Sequence, residues 1–453
     1  MIRSRAPKSL SPSRFAPYTE RLAHGQRLRD VVRRVDQNAW TLPRRRRSVL
    51  DMLRASEQGR VSSLLPIKYG RMAASPFAFF RGSAGIMAGD LATLPRTGYH
   101  VQICGDAHVR NLGAYASPDG RIVFDINDFD ETWRAPWEWD LKRLAVSFVL
   151  AGREASCSDR SCRDATLTLV RSYRRALAYF APLPAVELAR YQVNRHLDEG
   201  PVHEVLRKAE RAGPRTSLKK LTVPARGGRR RFAQRPPLLV RVDDRTRKRV
   251  LGALPEYRAT LGPNRQLVLD AYCPVDVAFK VVGTGSVGTR DYVVLCFGNG
   301  PSDPLILQVK EAAPSSYARF IPAERGATTH QGRRVAEGQH RMQTVADPFL
   351  GWTTIAGADY LVRQLADHKA SIEPADLGNT SLVDYALVCG EIFAKAHART
   401  GDGAVLYGYA GDSAKLDVAI AEFAVAYADQ VTHDYASFMK AIADGQLAAR
   451  TLR

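Results

Sequence analysis

Gly283-Thr284-Gly285-Ser286-Val287-Gly288 reads G-x-G-x-x-G, and the residues after it limit the folds open to this chain. A dinucleotide-binding turn of the doubly wound type needs a helix directly after the glycines, so that its N-terminus can meet a pyrophosphate. Asp291-Tyr292-Val293-Val294-Leu295-Cys296-Phe297 is β-branched, aromatic and too short for that helix. With Val275–Val282 before it, the stretch predicts a hairpin whose glycine tip lets backbone N–H groups approach an anion.

Lys310 closes the next apolar strand, Leu305-Ile306-Leu307-Gln308-Val309. A lysine there can pair a nucleotide's phosphates together with a glutamate from a following helix; Glu337 is the first choice and Glu324 the second. A lone strand lysine is more often a solvated edge residue, so these two features need a third. Cys104-Gly105-Asp106-Ala107-His108-Val109-Arg110-Asn111, followed by Asp125-Ile126-Asn127-Asp128-Phe129-Asp130, spaces acids and an amide as phosphoryl transfer requires. Asp106 is the candidate base for a hydroxyl proton, and Asn111 and Asp128 are candidate Mg²⁺ ligands. Asp125 lies an odd number of residues from Asp128, so on a straight strand the two face opposite sides, and Asp125 is the weaker candidate. Taken singly, Asp106 and Asn111 also suit turn-capping roles. His108 is read as a hydrogen-bonding scaffold for the loop, with a polar contact to the metal region as the alternative. Asp140 is expected to fold back and hold the loop backbone, and Lys142 and Arg143 to serve the surface.

The chain has 453 residues, 45% of them hydrophobic, enough to bury one large core or two medium ones. No apolar run is long enough for a membrane span and the N-terminus lacks a signal core, so a cytoplasmic protein without membrane contact is expected. Six scattered cysteines argue against a disulfide framework, and Cys157 and Cys162 lack a matching pair for zinc. The net charge of +20 is concentrated: residues 207–249 carry sixteen Lys or Arg against three acids. Such a strip suits an acidic partner or nucleic acid, or forms a solvated, loosely ordered connector, which the scarcity of aromatic residues favours. Arg44 to Arg47 are read as a solvated helix start after an extended arm.

Arg71-Met72, Ser75-Pro76-Phe77, Phe80-Arg81-Gly82, Cys104 to His108, Phe124 to Thr132, Trp137 to Arg143 and His397-Ala398-Arg399 resemble the bacterial domain-of-unknown-function family 2252. More distantly, the loop is similar to that of aminoglycoside and choline phosphotransferases, which reads His-Gly-Asp-x-His-x-x-Asn, with Cys104 in place of the first His. That similarity implies Asp106 as general base, Asn111 and Asp128 as Mg²⁺ ligands, Asp140 as the prop of the loop, and Gly283, Gly285, Gly288 and Lys310 as the phosphate cover. Glycine loop and lysine normally precede the catalytic loop, whereas here they follow it, which a circular permutation would reconcile.

The expected fold is therefore α+β, protein-kinase-like and two-lobed, a small antiparallel sheet lobe against a helical lobe, in circularly permuted order. The expected segments are an N-terminal arm with helices (1–100), a catalytic-loop and helical lobe (101–206), the basic connector (207–249), a sheet lobe (250–370) and C-terminal helices (371–453). The expected function is ATP- and Mg²⁺-dependent phosphoryl transfer to an unidentified hydroxyl on a small molecule or protein. The alternatives are a catalytically silent nucleotide-binding or regulatory module, nucleotidyl transfer on the same fold, and a basic nucleic-acid-binding protein.

Overall fold

The computed structural model describes residues 15–44, 46–193, 200–225, 230–365 and 369–451. It is an α+β fold in which a helical body is interrupted by a sheet and then resumes. Glu138–Glu154 is buried from Glu138 through Gly152, as a helix surrounded by others must be. Asp159–Phe180 starts where the Ser158 side chain accepts the Ser161 N–H, and lies along Asn379–Thr400. Lys415–Ala443 completes this core with Phe423, Tyr427 and Phe438. No described helix is long and apolar enough to cross a membrane.

The principal sheet has six strands in the order Gly351–Ile355, Ala358–Gln364, Pro304–Glu311, Asp291–Phe297, Cys273–Lys280 and Leu239–Arg241, all neighbours antiparallel. Successive side chains alternate between faces. Val294 joins Tyr257, Val309 and Tyr360 in one cluster, while Val293 and Leu295 join Leu218, Phe232 and Ile306 in another. Both faces are thus covered, and the second is covered by the basic strip.

The strip is consequently not a loose connector. Gly200–Glu210, Pro214–Leu221 and Asp244–Gly252 are helices, Thr222–Pro224 pairs with Arg230–Phe232, and Leu239–Arg241 already belongs to the main sheet. Leu218, Phe232 and Leu239 are among its buried apolar residues, and the dense charge around them masks the pattern in the sequence.

The expected N-terminal arm differs as well. Tyr18–Val31 is a helix without an apolar stripe because it crosses Gly403–Ala410 through glycines. A Cβ on Gly25 would meet the Val405 carbonyl, and one on Gly408 would meet that of Leu22. Arg29 and Arg34 then donate to the Tyr409 and Ala410 carbonyls at 3.0 and 2.8 Å. Arg46 is not a solvated residue: it is clamped between Asp90 and Asp434, each at 2.7 Å and each buried. Arg44 and Arg47 are exposed, and residue 45 lies outside the described residues.

Candidate functional site

The segment Cys104 to Asn111 joins the strand His100–Ile103 to the strand Leu112–Ala116. Asp140, in the first turn of Glu138–Glu154, is completely buried and accepts the Cys104 N–H at 2.7 Å and the Gly105 N–H at 2.9 Å. His397 Nε2 lies 3.5 Å from the same carboxylate, and its Nδ1 is 2.9 Å from the Tyr173 hydroxyl. From the other side the Tyr317 hydroxyl donates to the Gly105 carbonyl at 2.6 Å. The loop backbone is therefore held by side chains rather than by a sheet ladder. Asp140→Ala is expected to cost about 3 kcal/mol, because two buried N–H groups lose a charged acceptor; Asp140→Asn should cost less, as read from urea midpoints.

Arg143 lies one turn beyond Asp140 and faces the same way. It is wholly buried, 4.0 Å from the Phe80 ring, and donates Nε at 3.0 Å and Nη2 at 2.6 Å to Asp106 Oδ1. Lys142 is buried too, its ammonium 4.6 Å from the Phe423 ring, and burial lowers its pKa to about 8. Neither residue serves the surface as expected. The spacing from Asp140 was the available signal for Arg143. Burial lifts Asp106 to about 6 although Arg143 pulls it down. His108 packs edge-on against Phe77, with Nε2 3.6 Å from Asp106 Oδ2, and burial keeps its imidazole neutral.

Asn111 ties the two halves of the motif together. Its amide nitrogen donates to the Asp106 and Asp128 carbonyls at 3.0 and 2.9 Å, and its oxygen accepts the Asp128 N–H at 2.7 Å. One lone pair of that oxygen remains for another partner. Asp128 is half exposed, and Lys310 Nζ stands 3.8 Å from its Oδ1 while touching the Asp130 carboxylate. Burial opposes ionisation of Asp128, but Lys310, Arg363 and Lys369 hold its carboxyl below the usual range. Asp130 is raised, by burial and then by Asp128. Asp130 was not singled out from the sequence; it lies past the end of the strand Ile122–Ile126, and its nearness to Asp128 was the available signal. Asp125 faces the other way and pairs with buried Lys395, outside the cleft.

Glu337 is not brought to Lys310. It pairs with Arg333 at 2.6 Å and Arg341 at 3.1 Å on its own helix, Gln331–Met342, and Glu324 pairs with Arg134 at 3.1 Å. The buried polar residue on that helix face is Arg334, which donates to the Thr132, Asp130 and Ala313 carbonyls. The helix thus props the Asp128 segment with a cation and leaves Asp130 as the acid that meets Lys310.

Gly283 and Gly285 line the same cleft as Asp106, Asn111, Asp128 and Asp130, whereas Gly288, the last of the three glycines, is not among its lining residues. The first and last have φ of +67° and +98°, a region glycine enters without strain. Residues far upstream brace this hairpin tip: Arg71 donates to the Gly283 carbonyl, Arg60 to that of Val287 at 2.6 Å, and the Val61 N–H to that of Gly288 at 2.7 Å. No sequence signal linked them to it. Buried Lys68 also lines the cleft and donates to Ser56 at 3.0 Å.

Asp128, Asp130 and Asn111 are hard oxygen donors of the kind that hold Mg²⁺ through one or two carboxylates plus phosphate and water. Among the described residues no three His, Cys, Asp or Glu form a metal site unaided, so a cation here would need oxygens from a ligand.

Comparison with curated proteins and with solved structures found no match. A family model described as "Uncharacterized protein conserved in bacteria (DUF2252)" matches residues 60–441. That span runs from Arg60 at the glycine tip through Asp106, Asp128 and Lys310 to His397, and the chain belongs to the DUF2252 family.

Proposed function

We propose that this cleft is a kinase-like phosphotransferase site that takes ATP and Mg²⁺ between the sheet and the helical body. The observation that carries this is the 3.8 Å separation of Lys310 Nζ and Asp128 Oδ1, which draws the strand lysine and the loop acid into one constellation. Glycine backbone at 283–288 would cover phosphates, Lys310 would offset their charge, and Asp128 with Asn111 would hold Mg²⁺. Asp106 would accept the proton of an acceptor hydroxyl. When bound, Mg²⁺ would supply charge neutralisation on the transferring group.

A permuted kinase-like order is supported by Arg134, which donates to the Thr400 carbonyl at 2.8 Å and the His100 carbonyl at 3.3 Å. The end of the Asn379–Thr400 helix therefore abuts the strand that enters the Asp106 loop, where an unpermuted chain would run straight on. A catalytically silent nucleotide-binding module is the second reading, favoured by the Arg143 clamp on Asp106 and by the backbone N–H already on the Asn111 oxygen. Nucleotidyl transfer would use the same groups.

The test is thermal unfolding and ATP consumption with and without Mg²⁺, for the native chain and Lys310→Met. Saturation at about 100 times Kd should stabilise the native chain by about 2.7 kcal/mol, and Lys310→Met should lose most of this. Stabilisation without consumption selects the silent module. Absence of both stabilisation and consumption would remove the nucleotide from the proposal.

A further inference from the structure

Three basic side chains on the Asp106 side of the cleft keep polar atoms that no protein group takes. Among the described residues, Arg81 Nε, Arg110 Nε and His108 Nδ1 are buried without a hydrogen-bond partner. His108 is only 6% exposed, so its free nitrogen cannot be attributed to bulk solvent. Arg81 makes no hydrogen bond or ion pair with any described residue and rests 5.8 Å from the Phe77 ring. Arg110 is held at one end by Glu373, and its Nε is left over. All three line the cleft together with Asp106.

Charge leads to the same place. Of the arginines gathered around His108, Arg143 has Asp106 and Arg110 has Glu373, whereas Arg81 has no direct ion pair among the described residues. Burial, followed by repulsion from Arg110, pushes the Arg81 guanidinium down to about 10. A guanidinium whose Nε is enclosed without an acceptor costs stability unless something anionic completes it. A planar fork of N–H groups is the side chain best suited to a phosphate or carboxylate.

We infer that this part of the cleft is an oxyanion subsite, and that the hydroxyl acceptor carries a phosphate, sulfate or carboxylate group received by Arg81 with Arg110 and His108 beside it. The word acceptor rests on the phosphotransferase proposal; the anion subsite does not. The Phe77 and Phe80 rings behind Arg81 and Arg143 keep the arginine planes in place. An anion bound here would lie beside Asp106, on the helical-body side of the glycine tip. Neutral sugars and alcohols would leave Arg81 unsatisfied, so acidic acceptors are selected by the cost of leaving it alone.

The experiment titrates the full-length chain with inorganic phosphate at constant ionic strength, alone and with a non-hydrolysable ATP analogue plus Mg²⁺. Phosphate should bind in both conditions, and Arg81→Gln should weaken it by about tenfold, the scale of one charge-assisted hydrogen bond. Arg81→Lys, which keeps the charge, should recover part of this. Arg121→Gln, at an exposed arginine paired with Asp119, should leave phosphate binding unchanged. Parallel titrations with sulfate and acetate distinguish a tetrahedral anion from a carboxylate. Phosphate binding no better than chloride, or undiminished in Arg81→Gln, overturns the subsite. So does binding abolished by Lys310→Met or by the analogue, because the anion would then occupy the nucleotide's own phosphate positions. If the analogue fails to bind while phosphate still depends on Arg81, the nucleotide proposal falls and the subsite stands.

Discussion

Asp106→Asn is expected to lower ATP-dependent transfer by about 10²–10⁴-fold, the usual loss when a positioned general base is removed. The asparagine can still accept from Arg143, which otherwise would lose both of its bonds to Asp106 and keep the Phe80 carbonyl at 2.9 Å. The substitution therefore isolates basicity from packing, and its urea midpoint should stay near that of the native chain. Asp106→Ala removes both and should be less stable as well as inactive. Mg²⁺-ATP binding should survive in Asp106→Asn, because Asp128 and Lys310 are untouched. The native pH profile carries the same information. Burial holds Asp106 at about 6, and a base works only when deprotonated, so kcat/KM should rise with pH through about 6 and level off above it. A profile flat across that range, or an Asp106→Asn enzyme with native turnover, would remove Asp106 from the chemistry.

Asp125→Ala and Asp128→Ala should separate cleanly, although the two acids stand three residues apart. Asp125 and Lys395 form a pair in which both side chains are almost fully enclosed. Removing the acid leaves a buried ammonium whose pKa burial already lowers, and the expected cost is about 3–5 kcal/mol. Lys395→Met placed on Asp125→Ala should restore much of the loss, since the charge that made the cavity costly is gone. Asp128 is half exposed, and Lys310 keeps Asp130 when it is removed. Asp128→Ala should therefore unfold within about 1 kcal/mol of the native chain, as exposed ion pairs usually do, yet lose the Mg²⁺-dependent part of the ATP stabilisation. Equal unfolding midpoints for the two variants would contradict the assignment of Asp125 to the core.

Much of the site was legible because its parts are local. Asp106, Asn111 and Asp128 lie within one loop and hairpin, and the hydrogen bonds that join them follow from that short separation. Asp140 was readable for a related reason: an acid in the first turn of a helix after the hairpin can return to free N–H groups in the preceding loop. The strand period of Cys273–Lys280, Asp291–Phe297 and Pro304–Glu311, and the helical period from Glu138 onward, were strong enough to set element type. Where the pattern was diluted, the reading failed. Tyr18–Val31 docks through Gly25 and arginines, and the residues covering the second sheet face are few among many charges.

The sequence by itself determined the α+β class, the hairpin at Gly283 to Gly288, the lysine at its strand end and the acid–amide loop. Each depends on contacts between near neighbours, or on a period that survives in one dimension. Only the tertiary structure decided who meets Lys310 and who meets Asp106. Glu337 was a reasonable partner by order along the chain, but Gln331–Met342 is rotated so that Arg334 and Gly338 point inward and Glu337 does not. Arg143 became the clamp on Asp106 because its helix is enclosed on every side from Glu138 through Gly152, so that stretch offers no surface. The rotational phase of a helix against its neighbours is set by the packing of the whole core, and a single chain's periodicity carries no record of it.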